Sequence, residues 1–324
     1  MGCIPHHIFG LEYDMGQVLL APRRGSEACA PRSRQAAVYG LVFLPGDTKM
    51  TNTKDFEKME RDGWADPSIA KGYADGFEHA TRLVAAHLSD AVRASSNCHV
   101  LDLCTGHGVV AAELVARGAQ VTGIDFSPAM ITLAREAVPQ ATFIQGDAMA
   151  LDFPDASFDA VTIGFGVPHF PDPAKGLAEA ARVLKPGGRI AFSIWRGAGS
   201  KGAFGWLFDA VGRLADPTIL LPAGPDAHMF TDPDVARPMM AEAGFDAVDM
   251  TDLDSKITVS EAERLFDVFD AGAVRAASLL SRQPQDRRDA VRADLAKRVV
   301  SQGVKVADGY QVATPSVMVY GMRG

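Results

Sequence analysis

From Asp66 onward, apolar side chains recur at three- and four-residue steps: Ile69, Tyr73, Phe77, Ala80, Val84 and Leu88. That spacing is the stripe of an amphipathic helix, and Asp66-Pro67 supplies its N-cap and first turn. Short apolar runs then alternate with helical patterns. The run His99–Leu103 is followed by a helix from Val109 to Arg117 that Gly118 closes, and then by the run Gln120–Ile124. A helix capped by Ser127-Pro128 leads to the run Ala141–Ile144, then to Asp159–Phe165. A helix capped by Asp172-Pro173 comes before the run Arg189–Trp195. Strands separated by helices in this rhythm predict a parallel, doubly wound α/β sheet with helices on both faces. Beyond it the pattern predicts a helical insertion over 201–214, a helix from Asp232-Pro233 to Gly244, and a sixth strand over 246–250. Two further helical patterns, 260–281 and 284–302, precede a β-rich run over 315–320.

Residues 1–49 do not share this grammar. Pro5, Pro22, Pro31 and Pro45 interrupt them, Arg23, Arg24, Arg32 and Arg34 make them basic, and no period is sustained. They are expected to be a disordered tail or an upstream extension, with Met50 as the biological start and a polar, helix-compatible stretch from there to Asp62.

Composition narrows the partners. The 324 residues are 47% hydrophobic and 22% charged, an ordinary globular mix that excludes disorder over most of the chain. A net charge of −8 argues against nucleic acid and favours a small neutral or cationic ligand. No apolar run reaches the roughly 18 residues of a membrane span, so stable membrane insertion is not expected. Cys3, Cys29, Cys98 and Cys104 form no CxxC pair and have no histidine array beside them, which suggests no metal site, no disulfide framework and a reducing cytoplasm. Met1-Gly2-Cys3 begins like an acylation signal, but His6 stands where Ser or Thr is required.

Candidate chemistry sits at the strand ends. The first strand runs into Asp102-Leu103-Cys104-Thr105-Gly106-His107-Gly108, whose glycines let a ligand approach the backbone and the N–H groups of the next helix. Gly106 to Ala111 reads GxGxxA, a dinucleotide fingerprint that is weak on its own. A carboxylate at Asp102 would repel a pyrophosphate and attract an ammonium or a sulfonium. Asp125, 17 residues beyond Gly108 at the end of the second strand, can accept both hydroxyls of a ribose. An NAD enzyme places an acid similarly, so Asp125 alone does not discriminate.

Three segments beyond the second strand, taken in their order, do discriminate: Gly146-Asp147-Ala148, then Ser157-Phe158-Asp159-Ala160-Val161, then Leu184-Lys185-Pro186-Gly187-Gly188. From about Val100 to Trp195 the chain resembles the class I S-adenosylmethionine-dependent methyltransferases, in the group similar to the ubiquinone and menaquinone C-methyltransferases. The resemblance implies a Rossmann-like, seven-stranded sheet, mostly parallel with the last strand antiparallel, and helical lid insertions. It implies S-adenosylmethionine as cofactor and in-line methyl transfer to a small organic acceptor. Asp102 and the turn Leu103, Cys104, Gly106 and Gly108 would hold the methionine end, and Asp125 the ribose. Phe126 would lie against adenine, Asp147 and the Ala148 N–H would read its edge, and Gly164 and Phe165 would line the methionine side. The chain departs from the family at Cys104, where glycine is usual. The expected division is one methyltransferase domain over 50–324, with its cofactor core at about 96–196. Lid or acceptor elements are expected at about 50–94, 197–230 and 259–305.

His169, just past the fourth strand, is the candidate general base, since an imidazole near its ordinary range can take a proton from a hydroxyl or amine. Tyr73 is either core or a contact to the cofactor carboxylate, and Trp64 is a pocket candidate. Cys104 is not needed as a nucleophile, because methyl transfer from a sulfonium requires no covalent enzyme intermediate. The turn Lys185–Gly188 is structural, and the charges of 284–302 read as an ion-paired solvated face. Two rivals stand beside this reading: an NAD(P)-dependent oxidoreductase, and a cofactor-binding regulatory protein without turnover.

Overall fold

The computed structural model describes residues 53–324, which fall within one compact unit. The expectations for residues 1–49 and for Met50 as a start therefore lie outside the described residues.

Two helices open the described chain, α1 (Lys54–Ala65) and α2 (Pro67–Ala91). Asp66 separates them: its extended backbone ends the first, and its carboxylate accepts the Ser68 N–H to start the second. The alternating region then forms β1 (His99–Leu103), α3 (Val109–Ala116), β2 (Gln120–Asp125), α4 (Pro128–Ala137) and β3 (Thr142–Gln145). It continues with β4 (Phe158–Gly164), α5 (Pro173–Val183) and β5 (Leu184–Trp195). Ser127 and Asp172 cap their helices as expected, accepting the N–H of Met130 and of Lys175. Next come α6 (Ala203–Leu214), α7 (Pro233–Glu242), β6 (Phe245–Leu253) and β7 (Lys256–Val259). The described chain closes with α8 (Arg264–Gly272), α9 (Val274–Leu280), α10 (Gln285–Gln302), β8 (Val304–Val306), β9 (Gly309–Ala313) and β10 (Ser316–Arg323).

The main sheet has seven strands in the order β3-β2-β1-β4-β5-β10-β6. β1 to β5 pair in parallel, and β10 runs antiparallel between β5 and β6. Strand alternation divides the core: Val100 faces the cluster of α2, α3 and α8, whereas Leu101 and Leu103 face the cluster of α5 and α7. Because the strand order reverses beside β1, a crevice opens beyond the carboxyl ends of β1 and β4, where open α/β sheets bind ligands.

Three details differ from the sequence expectation. The helical pattern of 260–281 is two helices, broken at Ala273, whose extended backbone redirects the chain after Gly272. Leu184–Gly188 is not a free turn but the irregular start of β5, with a register shift opposite Phe158 and Ala160 and a left-handed Gly187. A second, three-stranded antiparallel sheet, β7-β9-β8, has no counterpart in the sequence pattern. Its strands have only four, five and three residues, too short for alternation to register.

Helices α2 and α8 are held together through small residues. An ideal Cβ on Gly72 of α2 would lie 2.2 Å from the Ala271 carbonyl oxygen of α8, so the two helices meet backbone to backbone. Among the described residues no helix is long and apolar enough to cross a membrane.

Candidate active site

The loop after β1 is built under strain. Cys104, Gly106 and Gly108 all have left-handed backbones, with φ of 53°, 55° and 89°. Glycine adopts this conformation freely, whereas at Cys104 it costs about 1–2 kcal/mol. Gly166 makes room for the cysteine: an ideal Cβ on Gly166 would stand 2.4 Å from the Cys104 Cβ. Cys104 is thus accommodated by the missing side chain at Gly166. Phe165, with φ of 59°, is a second left-handed non-glycine residue at the same edge, its N–H on Ser193 Oγ. Strain of this kind gathers where a site must hold a fixed shape.

Three carboxylates surround the loop. Asp102 is 1% exposed and accepts the hydroxyls of Thr105 and Thr162 at 2.6 and 2.7 Å. Burial pushes its carboxyl up to about 6, against the pull of those two hydroxyls. Asp125 accepts the N–H of Gly106 at 3.0 Å and of Ser127 at 2.9 Å, and burial raises it as well. Asp147 accepts the Met149 N–H through Oδ1 and the Arg61 guanidinium of α1, 2.7 Å away, through Oδ2. The same guanidinium stands 5.4 Å over the Phe126 ring. Burial and the neighbouring carboxylates push the Cys104 thiol well up, which leaves it unreactive.

Three cavities meet at this edge. One of about 400 Å³ is lined by Cys104, Asp125, Phe126, Asp147, Ala148 and His169, with Arg61 closing it from α1. A second, about 390 Å³, lies over the loop against Tyr73, Cys104, Gly106, His107, Gly164 and Phe165. The third, about 1030 Å³ with its mouth, is walled by aromatic and aliphatic side chains, among them Trp64, Phe77, Trp195, Phe204 and Phe269. Shared residues join the three: Cys104 borders the first and second, Tyr73 and Phe165 the second and third, and His169 the first and third.

The structure therefore brings together most of the residues singled out in the sequence, and sets three apart. Asp102 turns its carboxylate onto the two threonines, Leu103 is fully buried in the sheet core, and Gly108 is the N-cap of α3. None of these three borders a cavity, so they can act on a ligand through field, backbone and loop shape but not through side-chain contact. Tyr73 packs edge-on to Trp64, at 5.3 Å between ring centroids, and stacks on Phe77, and burial raises its hydroxyl.

His169 ends a short 3-10 turn, Val167–His169, and its Nδ1 lies 2.8 Å from Glu60 Oε2 of α1. Glu60 is 1% exposed, and its carboxylate also receives Trp64 Nε1 at 3.1 Å and Arg275 Nε of α9 at 2.7 Å. Burial alone would raise Glu60, but His169 and Arg275 outweigh it and bring the carboxyl down to about 2. Arg275 further donates to the Pro168 carbonyl and lies 4.5 Å from the Phe56 ring centroid. Across the large cavity, His228 donates Nδ1–H to the Trp195 carbonyl, and its buried Nε2 has no partner among the described residues. Burial lowers its pKa. Sequence reasoning missed Glu60, Arg61, His228 and Arg275. Glu60 and Trp64, four apart on α1, were the one local hint. Among the described residues no cluster of His, Cys, Asp and Glu could hold a metal ion.

Residues 101–192 match a family model described as a methyltransferase domain. The demethylmenaquinone methyltransferase of Thermus thermophilus is 39% identical over 164 residues, covering 45% of this chain and 73% of that protein. The Lactiplantibacillus plantarum enzyme of the same name is 47% identical over 109 residues, covering 31% of this chain and 46% of that protein. In structure, the chain is similar to phosphoethanolamine N-methyltransferase 2 of Haemonchus contortus, solved with phosphomonomethylethanolamine and S-adenosylhomocysteine. That similarity has a TM-score of 0.50 at 17% identity, over 83% of this chain and 60% of the other, and it concerns the fold alone.

Proposed function

We propose how this chain, which belongs to the class I S-adenosylmethionine-dependent methyltransferases of the quinone C-methyltransferase type, takes its acceptor: a flat, mostly apolar molecule with a weakly acidic hydroxyl, held in the aromatic cavity with that hydroxyl toward His169. The chain transfers methyl groups to a small molecule, and its relatives favour neither the NAD(P) oxidoreductase nor the silent binding protein.

The residues present fit the cofactor. The space above Gly106 is open, with nothing within 4 Å of where a Cβ would stand, and Cys104 lines both smaller cavities. Asp125 would hold the ribose, Phe126 with Asp147 and the Ala148 N–H the adenine, and the Leu103–Gly108 turn with Tyr73, Gly164 and Phe165 the methionine end. Asp102 would act from behind the loop by its charge. When bound, S-adenosylmethionine supplies a methyl group on a cationic sulfur that leaves readily.

What the protein adds is alignment, exclusion of water and a proton acceptor. Trp64, Phe77, Trp195, Phe204 and Phe269 form a wall against which an aromatic ring packs, and Phe165 stacks on Trp195 with ring centroids 3.6 Å apart. His228 offers one unpartnered ring nitrogen, Nε2, beside that wall. The carrying observation is the position of His169, which borders both the cofactor cavity and the acceptor cavity. Its Nδ1 is engaged by Glu60, so Nε2 is the nitrogen left to take the hydroxyl proton. Removing that proton makes either the oxygen or the conjugated ring carbon more nucleophilic.

A panel of phenols and reduced naphthoquinones identifies the acceptor, and His169→Ala then tests the base. Turnover is expected to fall by about 10²–10⁴-fold with adenosylhomocysteine affinity unchanged. Retention of more than about a tenth of native turnover would reduce His169 to packing. In a thermal shift assay adenosylhomocysteine is expected to stabilise the protein and NAD is not.

A further inference from the structure

We infer that Glu60 is the positioning residue of the candidate base, holding the His169 ring in the tautomer that leaves Nε2 unprotonated, and that Arg275 keeps Glu60 in that role. The inference rests on the reading of His169 as the proton acceptor and adds what prepares it. No sequence motif marks either residue.

Three elements remote in sequence converge here: α1 brings Glu60, the turn after β4 brings His169, and α9 brings Arg275. A buried carboxylate accepts and cannot donate, so the 2.8 Å contact requires the proton on His169 Nδ1. Of the two neutral tautomers, only that one presents a lone pair at Nε2, on the residue that borders both cavities. The acceptor's O–H bond then breaks, its proton bonds to Nε2, the oxygen keeps the electron pair, and the imidazolium that forms is stabilised by Glu60 2.8 Å away. The proton leaves to solvent after the methyl transfer.

Arg275 decides the orientation. It is cationic and donor-only, and it holds Glu60 Oε1 while its other end is fixed on the Pro168 carbonyl, one residue before His169. Trp64 Nε1 donates to the second oxygen, Oε2, with His169 Nδ1 3.4 Å away. Every donor around the carboxylate thus demands an acceptor, and Glu60 is the group that supplies them all.

This makes Glu60→Gln sharply informative. The guanidinium keeps the amide oxygen on its own side, which turns the amide NH₂ toward His169 and leaves Trp64 Nε1–H facing the imidazole Nδ1. Nδ1 must then accept, the ring proton moves to Nε2, and the base is lost with little change in side-chain volume. The experiment is nitrogen NMR of protein labelled with ¹⁵N-histidine and saturated with adenosylhomocysteine, the His169 signals being assigned by their loss in His169→Asn. The expected wild-type spectrum shows a protonated Nδ1 and an unprotonated Nε2, and Glu60→Gln reverses them. Turnover of Glu60→Gln falls about 10²–10⁴-fold, with the KM of the acceptor and the adenosylhomocysteine affinity within threefold of wild type. A wild-type protein protonated at Nε2, or a Glu60→Gln protein unchanged in both tautomer and turnover, would overturn the inference. Should Glu60→Gln not fold, the wild-type spectrum decides alone. A wild-type spectrum as expected, together with an active His169→Ala enzyme, would remove the base and leave the positioning contact standing.

Discussion

Asp102→Asn should make the cofactor-free protein more stable at neutral pH and a poorer binder of adenosylhomocysteine. Asp102 is buried on two threonine hydroxyls, and its carboxyl titrates near about 6 in the fold against an ordinary 3.8. Between those values the native chain holds the proton and the unfolded chain has given it up. Native stability therefore declines as pH rises through about 4 to 6 and stays lower above, by about 3 kcal/mol for a shift of about two units. Asparagine removes the charge. It also forces one threonine hydroxyl to turn and accept from the amide, at about 1 kcal/mol. The net expectation is a gain of about 1–2 kcal/mol at neutral pH that turns into a loss of about 1 kcal/mol by about pH 4. Glu60 works in the opposite sense: its lowered carboxyl contributes stability above about 4.5 that is lost as pH falls toward about 2. The quantity to measure is accordingly the difference between wild type and variant, from urea denaturation across that pH range. Calorimetry supplies the second half. A bound ammonium favours the ionised Asp102, so wild-type affinity for adenosylhomocysteine should climb through about pH 6, whereas Asp102→Asn should bind more weakly and without that slope. A variant less stable than wild type at neutral pH, or one with the wild-type pH dependence of affinity, would refute the reasoning.

Two further substitutions probe the same edge. Arg61→Ala should tighten adenosylhomocysteine about fivefold at low salt, because the half-exposed ion pair to Asp147 and the approach to Phe126 together are worth about 1 kcal/mol in competition with adenine, and added salt should narrow the gap. Weaker binding by calorimetry would show that Arg61 clamps the nucleotide instead of competing with it. Gly166→Ala should destabilise by about 1–3 kcal/mol, since the new methyl collides with Cys104 Cβ, and should lower cofactor affinity by displacing the strained loop; a melting temperature equal to wild type would contradict this.

The cofactor half was readable because its elements are local. Ser127-Pro128 and Asp172-Pro173 announce helices by capping chemistry that acts within four residues, and the carboxyl-edge positions of Asp125, Asp147 and His169 are set by where each strand stops. The rest was not readable, for two physical reasons. The strands β7, β8 and β9 are too short to show a period, and the last two are joined by the two-residue loop Ala307-Asp308. The Glu60–His169–Arg275 contact joins residues 109 and 215 positions apart, and no spacing rule reports a meeting made only by tertiary packing. Glu60 in particular sits on a mostly polar helix, where a carboxylate is expected in solvent, and only the fold reveals it as buried.

The place of β10 in the sheet has a consequence for biosynthesis. Strands β1 to β5 are contiguous in the chain and pair only with one another, so they can assemble while the rest is still being made. The free side of β5, however, waits for a partner that emerges roughly 120 residues later, and β6 does not touch β5 at all without it. Throughout that interval the nascent protein carries an open run of backbone donors and acceptors flanked by Ile190, Phe192 and Ile194, a template on which other chains can add. Substitutions in Ser316–Arg323 should therefore register in the cell as poor soluble yield and demand for chaperones, while the molecules that do complete the sheet bind cofactor normally.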